Sequence, residues 1–283
     1  MTTDFRILTA RGELRVSEIV RRSETIFTPP VAIGLVIGTF AAVPYIHLQL
    51  EARRRLYPHV PLLVHDDGSP KRDDLQRLCA EYGCEFECND SRRPCNIGDV
   101  SCLLGGLLWA QRNGFDIIVK MSRRFIPLRD WTTELRELAL ASQYPTYSSF
   151  CTSYGFGFRS ECVGMAVLEW IANRAHEQLA ALAMAPQVPF AEGALHQVAK
   201  RVADFRCRRA MQWDEIHGLR PDDRAGYAPW EFIGTDRHER YPQFLWHDWA
   251  RADDYSQQAQ QWDLPYTTED FIDPNQGFGS MPE

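Results

Sequence analysis

The stretch Pro61-Leu62-Leu63-Val64-His65-Asp66-Asp67-Gly68-Ser69 constrains the fold of this chain more than any other. An apolar run ends abruptly in two carboxylates, a glycine and a hydroxyl. A strand buried on both faces reads as such an unbroken apolar run, and strands of that kind belong to parallel sheets covered by helices. Ligands of open α/β sheets sit beyond the carboxyl ends of the strands. A strand that delivers carboxylates to its own end is therefore placed to meet one. The residues alone fit equally an Asp-Gly turn of the kind that joins any two elements.

The flanking segments repeat the pattern. Residues 31–38, Val-Ala-Ile-Gly-Leu-Val-Ile-Gly, read as a first buried strand, followed by a helix over 44–55 that carries Ile46, Leu48 and Leu50. A helix over 73–82 opens on Asp73 and Asp74, which suit the positive end of its dipole, and stops at Gly83. Glu85 to Cys88 is a short strand, and residues 89–99 form a polar loop holding Arg92, Arg93 and Pro94. A helix over 100–113 ends at Gly114, and Asp116 to Met121 is the third strong strand. Strands alternating with helices at this spacing indicate parallel βαβ units. The expected fold class is α/β: a Rossmann-like, mostly parallel sheet flanked by helices.

Beyond Pro127 the pattern changes. Helices are expected over 131–142, 162–184 and 192–209, with one or two strands in the Ser-, Tyr- and Gly-rich stretch 146–159. From Gly218 onward the chain is rich in Trp, Tyr, His, Asp and Pro and is expected to wrap over the core or form a lid, ending in a mobile tail over 273–283. Near the amino terminus, residues 13–22 carry Leu14, Val16, Ile19 and Val20 at the spacing of a short amphipathic helix that Pro29-Pro30 stops. This organisation divides the chain into an extension (1–30), a first half of the main domain (31–135), a second half (136–217) and a C-terminal wrap or lid (218–283).

Composition narrows the class. Hydrophobic residues make up 45% and charged residues 24%, as in ordinary globular proteins. The net charge of −7 argues against a general nucleic-acid binder, leaving room for a local basic patch. The longest apolar stretch, 31–46, is interrupted by Gly34, Gly38 and Pro44 and is too short to span a bilayer. The amino terminus lacks a basic region followed by an apolar block, so no signal peptide is expected and the cytoplasm is the expected compartment. There the thiols stay reduced. Cys79, Cys84, Cys88, Cys95 and Cys102 crowd together without a Cys-x-x-Cys pair, which points to small apolar filler and loop thiols rather than a zinc site.

The order of motifs is similar to the nucleotide-sugar-binding half of the GT-A glycosyltransferases, especially family 2. The similarity runs over 31–135 and rests on the first strand to Phe40, the second strand with Asp-Asp-Gly-Ser, the helix ending Glu81-Tyr82-Gly83, the loop to Gly98, Leu107-Leu108-Trp109-Ala110 and the strand to Lys120. The resemblance implies transfer of a sugar from a nucleotide donor, UDP-sugar by default, to an acceptor hydroxyl. It implies that Asp66, beside Asp67, holds the nucleotide base and that Thr39 and Phe40 touch the nucleotide. It also implies an acidic residue as general base at the start of a later helix, and Glu192 in Pro189-Phe190-Ala191-Glu192 occupies that spot.

The chain departs from the family at its third strand. Such enzymes carry Asp-x-Asp there, holding Mg²⁺ or Mn²⁺ on the sugar diphosphate, whereas this chain has Ser122-Arg123-Arg124. Divalent ions require anionic oxygen ligands, so no metal cofactor is expected. Arginine offers permanent charge and bidentate hydrogen bonds to a phosphate. The expectation is that Arg123 and Arg124, with Lys120, take the diphosphate in the metal's place. The alternatives are an inactive sugar-nucleotide-binding or scaffold protein and, with less support, a nucleotidyltransferase. The latter wants a Gly-rich phosphate loop that Gly38-Thr39-Phe40-Ala41-Ala42 does not resemble.

Other features carry less. Trp246 and His247 are candidate substrate contacts in Trp246-His247-Asp248-Trp249, with less weight on His238, His196 and Asp214. There is no Gly-x-Ser-x-Gly elbow, and Gly34 and Gly38 lie within a strand, unlike a dinucleotide fingerprint. Tyr154-Gly155-Phe156-Gly157-Phe158 fits a loop shaping the acceptor side or a bulge. The acceptor itself, whether glycan, lipid-linked, protein or small molecule, is not legible.

Overall fold

The computed structural model describes residues 6–9, 12–15, 26–94, 96–148, 161–186, 188, 191–210, 228–230, 232–233, 242–247 and 250–272; of these, 6–9, 12–15, 192, 204–210 and 228–229 are described by backbone alone. In chain order the elements are β1 (Arg6–Thr9), β2 (Gly12–Arg15), β3 (Ile33–Thr39), α1 (Val43–Leu56), β4 (Leu62–Asp66), α2 (Arg72–Glu81), β5 (Glu85–Cys88), α3 (Ile97–Asn113), β6 (Ile117–Ser122), β7 (Ile126–Pro127), α4 (Thr132–Ser142), β8 (Thr146–Ser148), β9 (Cys162–Ala166), α5 (Val167–Ala172), α6 (Ala175–Ala183), α7 (Ala191–Ala210), β10 (Ala228–Pro229), β11 (Phe244–Leu245) and α8 (Ala252–Gln261), with a final 3₁₀ turn over Thr268–Phe271.

The main sheet has seven strands in the order β10-β8-β9-β6-β3-β4-β5. β6, β3, β4 and β5 run parallel, and β9 runs antiparallel to β6 and β8. Side chains alternate between sheet faces along β3. Leu35 and Ile37 join one core cluster with α1, α2, α4 and α8, while Val36 joins a second with α3, α5, α6 and α7. Each fully buried apolar side chain contributes roughly 1.5–3 kcal/mol of transfer free energy. This is the α/β arrangement expected from the sequence. The parallel registers align the strand ends, with Thr39 opposite Asp66, Asp66 opposite Cys88, and Gly38 opposite Ser122.

Two expectations are corrected. Residues 13–15 are not helical: Gly12–Arg15 pairs antiparallel with Arg6–Thr9 and sets Leu14 opposite Ile7. Pairing with another segment overrides the helical spacing there, and residues 16–25 lie outside the described set. The run from Cys162 does not begin as a helix either. Cys162–Ala166 is a fully buried strand held between β6 and β8. A short apolar run does not distinguish strand from helix by periodicity, and two waiting edges decide it. The helical part that follows is broken at Asn173-Arg174, with Arg174 at φ 60°.

The C-terminal segment wraps over the first face. Trp230, Phe232, Phe244, Trp246, Tyr255 and Phe271 are all buried in the first cluster. Its β11 pairs antiparallel with β7. Among the described residues no helix is long and apolar enough to cross a membrane.

Candidate functional site

The aligned ends of β3, β4, β5 and β6 open into a cleft of about 430 Å³. Thr39, Phe40, Asp67, Lys120, Arg123, Arg124 and His247 all line it, together with Arg92 and Arg93 from the β5–α3 loop, Asp99 from the first turn of α3, and Glu161. The sequence pointed to the first seven; the strand order aligns the first six, and His247 reaches the cleft from the segment after β11.

The acidic turn splits its two carboxylates. Asp66 closes β4 and is fully buried beneath the cleft. Its Oδ2 accepts from the Ser69 N–H at 2.7 Å and the Cys88 thiol at 3.3 Å, while Oδ1 has no hydrogen-bond partner among the described residues. Asp67 faces the cleft. It accepts from Asn89 Nδ2 at 2.8 Å and from the Arg93 N–H at 3.2 and 3.3 Å. Burial pushes the Asp67 carboxyl above its ordinary value, against the pull of those two donors.

Two glycines permit this packing. Gly68 sits at φ 72°, and a Cβ there would run into the backbone of Ser91 and Arg92. A Cβ on Gly98 would meet the Asp67 carboxylate. The acidic turn, the arginine loop and the start of α3 therefore close on one another only because both positions lack a side chain.

Two of the cationic side chains, Arg92 and Arg123, contact Phe40. Arg123 Nη1 donates to the Phe40 carbonyl at 3.1 Å, and the Arg92 guanidinium lies 4.1 Å above the Phe40 ring. Arg124 lies 6.0 Å from the centre of the Tyr45 ring. Lys120 is buried under the cleft floor in an ion pair with Asp99. Burial works against its charge, but Asp99, with Cys102 and Glu161 behind it, holds the ammonium above its ordinary pKa. The cleft is lined by five cationic side chains against three carboxylates, Asp67, Asp99 and Glu161, so its balance favours an anion.

The carboxylates that line the cleft are Asp67, Asp99 and Glu161. Ser122-Arg123-Arg124 stands where the resemblance implies two metal-binding carboxylates. Asp99 is paired with Lys120 and Asp67 accepts from Asn89 and Arg93. Among the described residues no three His, Cys, Asp or Glu side chains group so as to hold a metal ion.

The remaining candidates fall in different places. Glu192 is the second residue of α7, and its side chain lies outside the described set; its neighbour Ala191 lines the cleft. Trp246 is buried in the core, with its ring 5.4 Å from that of His247, so it is not exposed to a substrate. His196 lies on α7, its pKa lowered by burial and by Lys200. Asp214, His238, Asp248, Trp249 and residues 154–158 lie outside the described residues, as does Cys95. Cys79, Cys84, Cys88 and Cys102 are free thiols, and burial pushes Cys79 and Cys102 up to about 12, as befits filler.

Arg92, Arg93, Asp99 and Glu161 were not singled out from sequence as site residues. Arg92-Arg93 did carry a signal: like Arg123-Arg124, the pair follows a strand, four residues after β5 ends. Only the adjacency of β5 to β4 turns that loop toward the cleft.

No protein-family model matches this chain and no curated protein matches it. Solved structures similar to it include glucosyl-3-phosphoglycerate synthase from Mycobacterium tuberculosis in complex with Mn²⁺, UDP and glucosyl-3-phosphoglycerate, 13% identical over 89% of this chain and 85% of that one, with a TM-score of 0.44. A mannosyltransferase from Pyrobaculum calidifontis in complex with GDP-Man and Mn²⁺ is 15% identical over 65% of this chain and 58% of that one, TM-score 0.44. The glycosyltransferase GlyE of Streptococcus pneumoniae is 13% identical over 71% of this chain and 45% of that one, TM-score 0.43. The chain thus spans about half the length of the last two.

Proposed function

We propose that this cleft binds a nucleotide-sugar, UDP-sugar by default, and transfers the sugar to an acceptor hydroxyl without a divalent metal. The observation that carries the reading is the convergence of Arg92, Arg93, Arg123 and Arg124 on the cleft at the ends of the parallel strands, with Arg92 and Arg123 in contact with Phe40.

In such a transfer the bond between the anomeric carbon and the diphosphate oxygen breaks, and the leaving diphosphate takes the electron pair. Fixed guanidinium groups stabilise that developing charge best when they are in place beforehand. Arg123 and Arg124 receive the diphosphate. Lys120 adds a charge from below that Asp99 already offsets. Asp67 meets the nucleoside from the β4 end, with Asp66 bracing the turn beneath it. Glu192 takes the proton of the acceptor hydroxyl, and His247 lines the acceptor side. Residues 31–135 thus hold the donor and residues 136–217 the acceptor.

The test is calorimetric titration of UDP and UDP-sugars in EDTA, followed by an acceptor-free hydrolysis assay. Binding and turnover that persist in EDTA are expected. Turnover that collapses in EDTA and returns with Mn²⁺ refutes the metal-free mechanism. Binding without turnover assigns a sugar-nucleotide-binding or scaffold role, and pyrophosphate release from a nucleoside triphosphate marks a nucleotidyltransferase.

A further inference from the structure

The turn that presents the two arginines is held from outside itself. Phe125 N–H donates back to Ser122 O at 3.1 Å, and Ser122 N–H donates to Glu161 O at 2.7 Å. Gln49, fully buried on α1, donates from Nε2 to Ser122 O at 3.1 Å and also to Phe125 O. The Tyr255 hydroxyl, from α8 on the C-terminal wrap, donates to Arg124 O at 2.7 Å. The Tyr45 ring packs edge-on against Tyr255 at 4.9 Å while facing the Arg124 guanidinium. Carbonyls of Ser122, Arg124 and Phe125 are therefore tied to side chains that enter from two other elements.

Gln49 sits among Ile46, Leu48 and Leu50 of the first apolar cluster. Burying a primary amide there is costly unless it is hydrogen-bonded. Its Nε2 is spent on the turn. Tyr255 is likewise buried, and its hydroxyl donates to the Arg124 carbonyl.

We propose that Gln49 and Tyr255 are positioning residues for a diphosphate clamp made by Arg123 and Arg124. They fix the backbone of the turn before the anion arrives, so the guanidinium forks meet it without reorganising. Fixing a binding element in its bound geometry raises affinity by lowering the ordering cost. The inference rests on the diphosphate reading above.

The experiment titrates inorganic pyrophosphate, UDP and uridine into wild type, Tyr255→Phe, Gln49→Met, Arg123→Gln, Arg124→Gln and the Tyr255→Phe/Arg124→Gln pair. Tyr255→Phe keeps the ring and removes only the hydroxyl, and it decides the matter alone if Gln49→Met does not fold. Expected are a loss of about fivefold in pyrophosphate and UDP affinity for Tyr255→Phe, the effect of one lost hydrogen bond, a larger loss for Gln49→Met, which gives up two, and no change for uridine in either. Tyr255→Phe is expected to cost less once Arg124 is Gln, because the pinned turn then presents Arg123 alone. If the arginine variants weaken pyrophosphate while Tyr255→Phe binds as wild type, the positioning role is overturned and the clamp stands. A parallel fall in uridine affinity shows a merely structural role and also overturns it. Wild-type-like pyrophosphate binding by both arginine variants overturns the diphosphate reading itself, as does a wild type that binds neither pyrophosphate nor UDP.

Discussion

Replacing Asp99 by Asn is expected to destabilise the protein more than replacing its partner Lys120 by Met. The two ends of this ion pair differ in environment: the Lys120 side chain is 1% exposed and that of Asp99 is 28% exposed. Breaking a buried pair from one side costs about 3–5 kcal/mol, because the other charge stays buried without compensation. Glu161 also faces Lys120 and relieves part of that loss, so about 2–3 kcal/mol is expected for Asp99→Asn. Lys120→Met removes the buried charge, fills the space with a flexible apolar chain and leaves an Asp99 that water can reach. About 1 kcal/mol or less is expected there. For a chain of this size each kcal/mol moves the melting temperature by about 2–4 °C. Urea denaturation at neutral pH, with the slope checked for constancy, measures both variants and the double variant, which is expected to lie near Lys120→Met. A Lys120→Met protein less stable than Asp99→Asn would refute the reasoning, because the buried partner would then not be the one that suffers.

Acid provides a second test. Burial alone would raise the Glu51 carboxyl, but hydrogen bonds from Arg54, Arg55 and the Tyr82 hydroxyl hold it down at about 2, against an ordinary value of 4.5. A depressed carboxyl contributes stability above its unfolded pKa, and that contribution is lost as pH falls from about 4.5 through about 2. Denaturation midpoints across that window are expected to show a loss on the order of 2 kcal/mol that is absent in Glu51→Gln. Gly68→Ala is expected to cost about 2 kcal/mol or more, since a side chain there meets positive φ and the Ser91–Arg92 backbone, and to weaken UDP binding by shifting Arg92. Thermal melts and titration read the two effects separately. Finally, pyrophosphate affinity is expected to fall between 50 and 500 mM salt more steeply than uridine affinity, as ion pairing in an open cleft requires.

The central strands were legible because burial on both faces leaves an unbroken apolar run, and the second and third helices because acidic first turns and glycine stops frame them. The carboxylates at the end of β4 and the arginines at the end of β6 were legible for a related reason. Strand ends of a parallel sheet share one edge, so polar residues that follow apolar runs gather there. The sequence pointed to Asp66 as the nucleotide contact, whereas it is Asp67 that lines the cleft. Asp66 still belongs to the strand and pairs on both sides, with Thr39 and Cys88 as register neighbours, so its side chain stays below, and the chain turns upward only at Asp67.

What the sequence determined by itself was the class of sheet, the edge where chemistry gathers and the lack of carboxylates at Ser122-Arg123-Arg124, because each is written in contiguous residues. The tertiary structure alone decided what depends on partners distant in the chain. It made a strand of Cys162–Ala166 because β6 and β8 offered edges. It neutralised Lys120 because α3 packs Asp99 over it. It turned Arg92 onto Phe40, and it pinned the arginine turn with Gln49 and Tyr255. Local spacing encodes which faces are apolar, whereas the placement of a charge or a hydrogen bond depends on which element arrives opposite it.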